Sequence, residues 1–280
     1  MIKSFLKIEF KRTFFSWKTL IAFILFMAVY IHISYLDGLD LPKLPPSTYY
    51  YKLMMEDNNF FMAYLKVMAG GANSYMSMVF PIIILLTVGD SLIQDMKTGF
   101  LEFYLTRIDC KKYIFAKNVS VGIVGFIVAL IFQICGFIYT VCTHPFYLPK
   151  DLDKAPLFLR GMYMQVPYLY ILMTMIIFSF IAAAVVLFGM LLSNKLKNSV
   201  QAILLPYVIY LILGLGIYNG IPVPSIYAFS PVMMCGTFIF TPYYSLGVIA
   251  VYWIGILLIC GYFSCRLFLK KFKVKSDLKI

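Results

Sequence analysis

Charged residues are scarce in this chain. Of its 280 residues only 13% are charged, whereas 62% are hydrophobic and the mean hydropathy is +0.88. Soluble domains are about 25% charged and roughly 45–50% apolar, so this chain has too little charge to cover a water-facing globule. The composition excludes a cytosolic enzyme, a disordered protein and a secreted disulfide scaffold. It predicts an all-α integral membrane protein.

The chain also lacks the motifs of familiar catalytic sites. It contains no G-x-x-x-x-G-K-[ST], no H-E-x-x-H and no G-x-S-x-G. Its two histidines, His32 and His144, are too few for a metal site, and its six cysteines show no C-x-x-C spacing. We therefore expect no catalytic residue, no metal site and no cofactor in this chain. A disulfide between Cys142 and Cys235 is left open, since the sequence does not set their separation.

Ionisable residues are also missing from the centres of the apolar runs, and only Asp90 comes close, at the inner end of the second run. Ion-coupled pumps and intramembrane proteases place such groups in mid-membrane because their chemistry needs them there. The pattern therefore argues against a proton relay. It argues more strongly against an intramembrane aspartyl protease or a metal-dependent lipid transferase.

Long apolar runs are abundant. A membrane-spanning helix needs about 20 apolar residues, and the runs predict six such helices. Their limits are about Thr19–Tyr35, Asn73–Leu92, Asn118–Cys142, Met162–Leu192, Val200–Tyr218 and Ser245–Cys265. The fourth run contains Pro167, so that helix is either long and tilted or broken at the proline.

The segments outside these runs differ in character. Residues 1–18 alternate apolar and basic side chains, which predicts a helix lying in the membrane interface. Residues 36–72 form a long outer loop, and residues 219–244 are apolar, uncharged and carry four prolines. The latter segment predicts a re-entrant outer hairpin before the last helix, because irregular backbone at that depth must be buried in protein or line a cavity. The six-span domain then covers 19–265, followed by a basic tail over 266–280.

The distribution of Lys and Arg predicts the orientation. Of the 24 Lys and Arg residues, 18 fall in the N-terminus, the loop after the second run, the turn after the fourth run and the C-terminal tail. The other six fall in the alternate loops, and the acidic residues divide equally between the two sides. Basic residues accumulate in cytoplasmic loops, so we expect both termini to lie in the cytoplasm, with six spans between them.

The loop between the second and third runs, residues 89–120, carries the most informative pattern. Its order is D-x-K-T-G-x-L-E-x-x-L-T-R, followed by Lys117 at the start of the third run. Composition alone favours an ordinary basic interface loop. The order of its residues favours a specific element, made of two short helical pieces separated at Thr98 and Gly99.

That order resembles the ABC-2 class of ATP-binding-cassette permeases. The matching positions are Asp95, Lys97, Thr98, Gly99, Leu101, Glu102, Leu105, Thr106 and Lys117. The amphipathic start resembles the elbow helix of that family, and Phe229-Ser230-Pro231 resembles the element that opens its outer hairpin. The loop over 36–72 is longer than is usual in the simplest exporters of the family.

The resemblance implies a transport subunit without catalytic activity, located in the plasma or inner membrane. It implies two copies of a separate ATPase subunit, which would bind ATP and Mg²⁺, and a second permease chain, identical or paralogous. Membrane lipids are further expected partners, and nucleic acid is not. The resemblance thus implies a multi-pass exporter permease for an amphiphilic, peptide-like, lipid-like or drug-like substrate.

The resemblance also implies roles for particular residues. Residues 91–107, with Arg107 at their end, would form a cytoplasmic coupling helix that contacts the ATPase. Glu102 would join it to the elbow helix as an ion-paired or capping residue, through Lys7, Lys11 or Arg12. The alternative is a solvated glutamate on the surface. The substrate path would lie between two permeases and be lined by the first, second and fifth spans. Its candidate residues are aromatic: Tyr75, Phe80, Tyr207 and Tyr210.

Two other functions remain open at this point. The chain could be a sensor or immunity subunit that uses the same fold to bind an external peptide through residues 36–72, because a fold does not fix a function. A membrane-embedded enzyme acting on lipids is the weaker alternative, since the sequence offers no paired carboxylates and no histidine cluster for it.

Overall fold

The computed structural model of the chain describes residues 2–38, 59–69, 74–148, 155–220, 229–241 and 244–277. All regular structure in these ranges is helical, which confirms the all-α prediction. In chain order the helices are α1 Ile2–Phe14, α2 Trp17–Gly38, α3 Phe60–Ala69, α4 Met76–Val88, α5 Ser91–Lys97, α6 Phe100–Leu105, α7 Cys110–Thr143, α8 Arg160–Gln165, α9 Pro167–Ser193, α10 Ser199–Gly220, α11 Pro231–Cys235 and α12 Leu246–Asp277. A short 3-10 helix, Thr237–Phe240, lies between α11 and α12.

Six helical segments are long and apolar enough to cross a membrane, as the apolar runs predict. They are Trp17–Leu36, Met76–Lys97, Cys110–Thr143, Pro167–Ser193, Ser199–Ile217 and Leu246–Phe272. In a bilayer core each backbone polar group must be bonded within the protein, and a helix does this within one segment. The chain is a multi-pass membrane protein.

Two of these helices extend past their predicted limits. The third span begins at Cys110 rather than at Asn118, and the side chain of Asp109 caps its first turn. The last span continues to Asp277, well beyond the predicted Cys265. Hydropathy marks only where a helix leaves the apolar layer. The helix itself continues, because the Lys and Arg residues that follow are good helix formers.

Two spans are interrupted. The fourth is divided into α8 and α9 at Val166, and α9 begins with Pro167, a residue favoured at the first helical position. The structure thus selects the broken alternative of the prediction. The second span is divided into α4 and α5 at Gly89 and Asp90, so a separate short helix follows at its inner end.

The connection between the first two spans contains more than a loop. Its described part, residues 59–69, includes α3, and nine of the ten residues of α3 are buried. Asn59 caps this helix by accepting a backbone N–H bond at 2.9 Å. The Tyr64 hydroxyl donates to Oε1 of Gln133 on α7 at 3.0 Å. The segment that the sequence presents as a long outer loop therefore places a helix inside the bundle.

The predicted re-entrant hairpin, residues 219–244, is described in part, since 221–228 and 242–243 lie outside the described residues. Its described pieces, α11 and the 3-10 helix, are largely buried. Between them, a Cβ atom on Gly236 would lie only 2.9 Å from the Met68 carbonyl oxygen, so glycine permits close contact with α3. This is irregular backbone buried in protein, the condition under which it is tolerated at membrane depth.

The start of α11 agrees with the Phe229-Ser230-Pro231 pattern. Pro231 is the first residue of the helix, and the Ser230 hydroxyl donates to the Gly214 carbonyl of α10 at 2.6 Å. Trp253 of α12 donates its Nε1–H to the Met234 carbonyl at 2.9 Å. These bonds fasten α11 between the last two spans.

The segments predicted to share the cytoplasmic side meet at one end of the bundle. Four helix parts lie together there: the end of α1, the helix α5, the start of α7 and the end of α12. At the other end the backbone N–H of Phe60 donates to the Pro145 carbonyl at 3.2 Å, and that of Phe158 donates to the Ile239 carbonyl at 3.1 Å. The candidate site lies at the first of these two ends.

Candidate functional site

The helices α5 and α6 form a bent pair between the second and third spans. The first ends at Lys97, with Thr98 as its C-cap. Gly99 follows with a φ of 72°, and Phe100 begins the second. Glycine adopts a positive φ without the steric penalty that other residues incur. Gly99 therefore allows the sharp turn that separates the two helices, at the position where the sequence predicts a break.

Asp95 of α5 is the centre of a buried charge cluster. Its Oδ1 lies 2.6 Å from Nη1 of Arg12 on α1, and its Oδ2 lies 2.6 Å from Nζ of Lys117 on α7. The hydroxyl of Tyr113, also on α7, donates to Oδ2 at 2.6 Å. The side chains of Asp95 and Lys117 are 0% exposed, and that of Arg12 is 32% exposed. One carboxylate thus ties together α1, α5 and α7.

A buried cluster of this kind is stable while it is complete. Removing charges from water costs several kcal/mol for each ion, and a close partner with additional hydrogen bonds offsets that cost. Separating the partners would leave an uncompensated charge inside the protein. The cluster therefore favours one arrangement of the three helices. It makes the junction of α1, α5 and α7 around Asp95 rigid.

A second ion pair lies beside the first. Nζ of Lys18, in the first turn of α2, lies 2.5 Å from Oδ2 of Asp90, whose side chain is 2% exposed. Gln94 donates through Nε2 to the same carboxylate at 3.1 and 3.3 Å. Both carboxylates are thus bound by cationic side chains, and in the described ranges no group of three or more His, Cys, Asp and Glu is placed to hold a metal ion.

The last helix, α12, packs against the same junction. The ring of Phe268 lies 5.7 Å from that of Tyr113, measured between centroids. Lys271 donates through Nζ to the Asn194 carbonyl at 3.0 Å, and Asn118 of α7 donates to a backbone carbonyl of α12 at 3.2 Å. A series of contacts therefore connects α5 to α7 and α7 to the last span.

The comparison with known families decides the class of this protein. The family model described as ABC-2 family transporter protein matches residues 4–235, from α1 to the end of α11. The chain belongs to the ABC-2 transporter family. The resemblance seen in its sequence is confirmed, and the chain is a membrane permease subunit. No curated protein and no solved structure matches it.

Family membership carries general expectations. ABC-2 permeases are in general transport subunits without catalytic activity, and they generally work with ABC ATPase partners. The junction around Asp95 lies within the matched residues, as do all of the predicted coupling residues.

The predicted coupling residues of this ABC-2 chain divide between two faces. Asp95 and Leu101 are buried, and Leu105 is half-buried. The others are exposed: Lys97, Thr98, Gly99, Glu102, Thr106 and Arg107. The amphipathic pattern thus corresponds to one face against the bundle and one face away from it. Assignment of the exposed face to an ATPase contact stays a prediction.

The ion pair between this segment and α1 is made by Asp95. From the sequence we expected Glu102 to pair with Lys7, Lys11 or Arg12. In the structure Arg12 pairs with Asp95, whereas Glu102, Lys7 and Lys11 are exposed. The reason for the correction is geometric, because Glu102 lies on α6, beyond the turn, while Asp95 lies on the part of α5 that contacts α1.

Phe103 is an exposed aromatic residue that was not among the predicted coupling residues. Its side chain is 50% exposed, and the Arg107 guanidinium carbon lies 4.2 Å from its ring centroid. A spacing of four residues puts two side chains on one side of a helical turn, and this spacing is the signal that could have identified the pair. Aromatic residues and arginine are both enriched at protein interfaces.

Three further residues of the junction were not among the predicted site residues: Tyr113, Lys18 and Asp90. Tyr113 lies four residues before Lys117 on α7, so its position on the same helix side was readable from the spacing. The pair of Lys18 and Asp90 joins positions 72 residues apart, and local sequence gives no signal for it.

The four residues predicted along a substrate path have different surroundings. Phe80 is buried between aromatic rings of the first and fourth spans, and the buried Tyr210 donates its hydroxyl to a backbone carbonyl of α4 at 2.8 Å. Tyr75 and Tyr207 are half-buried, and the Tyr75 hydroxyl lies 3.0 Å from Nδ1 of His32. The first two therefore pack within the single chain, and the other two reach its surface.

Proposed function

We propose that this chain is the permease subunit of an ATP-binding-cassette exporter that moves an amphiphilic peptide-like, lipid-like or drug-like substrate. Transport is driven by two copies of a separate ATPase, which would bind ATP and Mg²⁺. A second permease chain, identical or paralogous, completes the path through the cell membrane. The observation that carries the proposal is the ABC-2 family match over residues 4–235. The six crossing segments support it.

In this proposal α5 and α6 pass movement from the ATPase to the spans. Asp95 connects α5 to α1 and α7, and the pair of Asp90 and Lys18 connects it to α2. An exposed ion pair contributes only about 0–1 kcal/mol and would hold these helices together weakly. The cluster around Asp95 is buried, so it holds them more firmly. A push on α6 would therefore displace these helices together as a rigid body.

The exposed face of α6 and the turn after it is the proposed ATPase contact. Glu102, Phe103, Thr106 and Arg107 are exposed there. Leu101 anchors the helix from behind, since it is 3% exposed. An aromatic centre with charged and polar side chains around it has the composition of a protein docking surface.

Co-purification tests the proposal directly. The full chain would be isolated from its native membranes in mild detergent, and the accompanying proteins would be identified by mass spectrometry. We expect a Walker-motif ATPase among them. Absence of any such ATPase even after cross-linking would contradict the proposal, and movement of substrate into vesicles by the assembled complex would separate an exporter from a sensor.

Replacing Glu102 by alanine should lower the substrate-stimulated ATPase activity of the assembled complex while membrane insertion is retained. Glu102 is exposed on α6, so the change removes a contact group without disturbing the packed bundle. The measurement is the rate of phosphate release with and without substrate. Asp109→Asn is the matched control, because it removes the charge of an exposed acidic side chain just beyond α6 and keeps the oxygen that caps α7. Equal rates for both variants and the unaltered complex would remove Glu102 from the contact.

Thiol labelling tests the proposed orientation. Cys142 is exposed at the far end of α7, and Thr98 is exposed at the junction end. In intact cells a membrane-impermeant maleimide should label Cys142, whereas a Thr98→Cys variant that lacks the other cysteines should react only after permeabilisation. The reverse pattern would invert the orientation. Ser91 is a poor position for this test, because it is buried and would resist labelling on either side.

The same experiment contains an internal control. Cys142 and Cys235 are both free thiols, so the disulfide left open by the sequence does not form. Burial raises the pKa of the Cys235 thiol to about 12, and the thiolate is the reactive form. Cys235 should therefore stay unlabelled at pH 8 in the folded protein and become reactive on denaturation. Rapid labelling of Cys235 before denaturation would contradict the packing of α11.

A further inference from the structure

A polar cavity of about 230 Å³ lies between the turn from α1 to α2 and the start of α5. Arg12, Lys18, Asp90 and Gln94 line it. Together with Asp95 and Lys117 of the adjoining cluster, the side chains here are three cations and two carboxylates, a formal charge of +1. The side chains of Arg12 and Lys18 are 32% and 39% exposed, although each also holds a carboxylate. Arg12 also donates through Nη2 to the Ser91 hydroxyl at 3.4 Å. Arginine has five N–H donors and lysine has three, so a phosphate oxygen can share these two groups with their present partners.

An apolar cavity of about 480 Å³ adjoins the same turn. It is lined by side chains of α2 and α7 that include Leu20, Phe23, Phe132 and Cys135. The groove follows α2 for about seven residues, which corresponds to about 10 Å along the helix axis. It opens on the side of the bundle that faces the bilayer, since Leu20 is 46% exposed.

The two cavities share two lining residues at the turn, Ser16 and Trp17. Ser16 directly precedes α2, and its Oγ accepts the backbone N–H of Thr19 at 3.2 Å. The Trp17 side chain is 79% exposed, and tryptophan favours the level of the lipid headgroups. The polar cavity is therefore at headgroup level, and the apolar groove extends from it toward the hydrocarbon.

We propose that these adjoining cavities bind one anionic phospholipid. Its phosphate lies between Arg12 and Lys18, and one acyl chain lies along Phe23 and Phe132. Arginine matches the geometry of phosphate oxygens, and lysine adds a point charge. A soluble anion would leave the apolar groove empty, whereas a phospholipid fills both cavities with the appropriate chemistry.

This lipid would hold the elbow in place. It contacts α1, α2 and α7 at once, beside the cluster around Asp95, so its removal would loosen the connection between α1 and the spans. The proposal rests on the membrane-spanning assignment and not on transport. Its test is therefore a binding measurement, whose failure would leave the exporter proposal unaffected.

Tryptophan fluorescence can measure this binding because the chain has only two tryptophans. Trp17 lies at the site, and Trp253 would be replaced by phenylalanine in the full-length chain. The protein would be placed in phosphatidylcholine vesicles with increasing fractions of brominated phosphatidylglycerol, which quenches a neighbouring tryptophan. Vesicles of phosphatidylglycerol with brominated phosphatidylcholine provide the reverse experiment.

We expect phosphatidylglycerol to quench Trp17 about fivefold more effectively than its mole fraction predicts, since one basic side chain near a lipid contributes about that factor. The preference should fall in Lys18→Gln. Because this change leaves the buried Asp90 without its cation, the double variant Lys18→Gln with Asp90→Asn should be measured too. It keeps the net charge of the cavity and removes the Lys18 donors, so we expect a smaller loss than in Lys18→Gln alone. Lys97→Gln removes an exposed lysine outside the cavity and should keep the preference.

Equal quenching by the two lipids at equal mole fraction would overturn the proposal. A preference for phosphatidylglycerol in Lys18→Gln equal to that of the unaltered site would also overturn it. If millimolar inorganic phosphate changes the Trp17 emission while the two lipids quench equally, the cavity binds a free anion, and the assignment of a phospholipid is wrong.

Discussion

Replacing Asp95 by alanine is expected to destabilise the chain by about 3–5 kcal/mol, the range for breaking a buried ion pair from one side. The change leaves the Lys117 ammonium group, which is 0% exposed, without the carboxylate 2.6 Å away. It also removes the acceptor of the Tyr113 hydroxyl. The thermal unfolding midpoint of the purified chain in detergent would measure the loss.

A double variant shows whether the loss comes from the stranded charge. Asp95→Asn together with Lys117→Met removes both charges, and a buried ion pair replaced by neutral groups of similar volume often costs little. We expect this variant to recover most of the midpoint that Asp95→Ala loses. Glu102→Ala, which removes an exposed carboxylate from the same loop, should leave the midpoint nearly unchanged. A shift as large in Glu102→Ala as in Asp95→Ala would contradict the cluster as the source of stability.

Replacing Phe103 by alanine is expected to weaken binding of the ATPase partner at least tenfold. Phe103 is 50% exposed on α6, with the Arg107 guanidinium over its ring. Aromatic side chains at the centre of an interface often account for 2 kcal/mol or more of binding when truncated, and 1.4 kcal/mol corresponds to a factor of ten. Titration of the purified ATPase against the chain in lipid nanodiscs would give the dissociation constant.

The matched control is Phe115→Ala on α7. Phe115 is 61% exposed, and it lines an apolar cavity with residues of α9 and α12 rather than the face of α6. Its truncation should leave the dissociation constant unchanged. Equal affinities for Phe103→Ala and the unaltered chain would exclude this face as the ATPase contact, whereas equal losses in both variants would indicate a general loss of folding.

The number and character of the crossing helices could be predicted from the sequence. Each apolar run is a local property summed over about 20 residues, and a bilayer accepts such a run only as a helix. The family could be predicted for a similar reason, since Asp95, Lys97, Gly99 and Glu102 occur at fixed spacing within one short loop. The turn at Gly99 follows from the conformational freedom of a single residue.

The inward packing of α3 could not be read in the same way. Nine of its ten residues are apolar, Lys66 being the exception, but ten residues are too few to cross a membrane. An apolar stretch of that length is compatible with an interfacial segment or with a buried helix. The choice depends on partners distant in the chain, such as Gln133 on α7, which accepts the Tyr64 hydroxyl.

The same distinction between local sequence and tertiary packing applies to the candidate site. The sequence by itself determined which residue types lie in the coupling segment and that the segment joins the second and third spans. Only the tertiary structure decided that Asp95, and not Glu102, meets Arg12, and that Lys117 completes the cluster from α7. Hydropathy and turn preference are properties of neighbouring residues, whereas an ion pair depends on where separate helices cross, and that is set by the packing of the whole bundle.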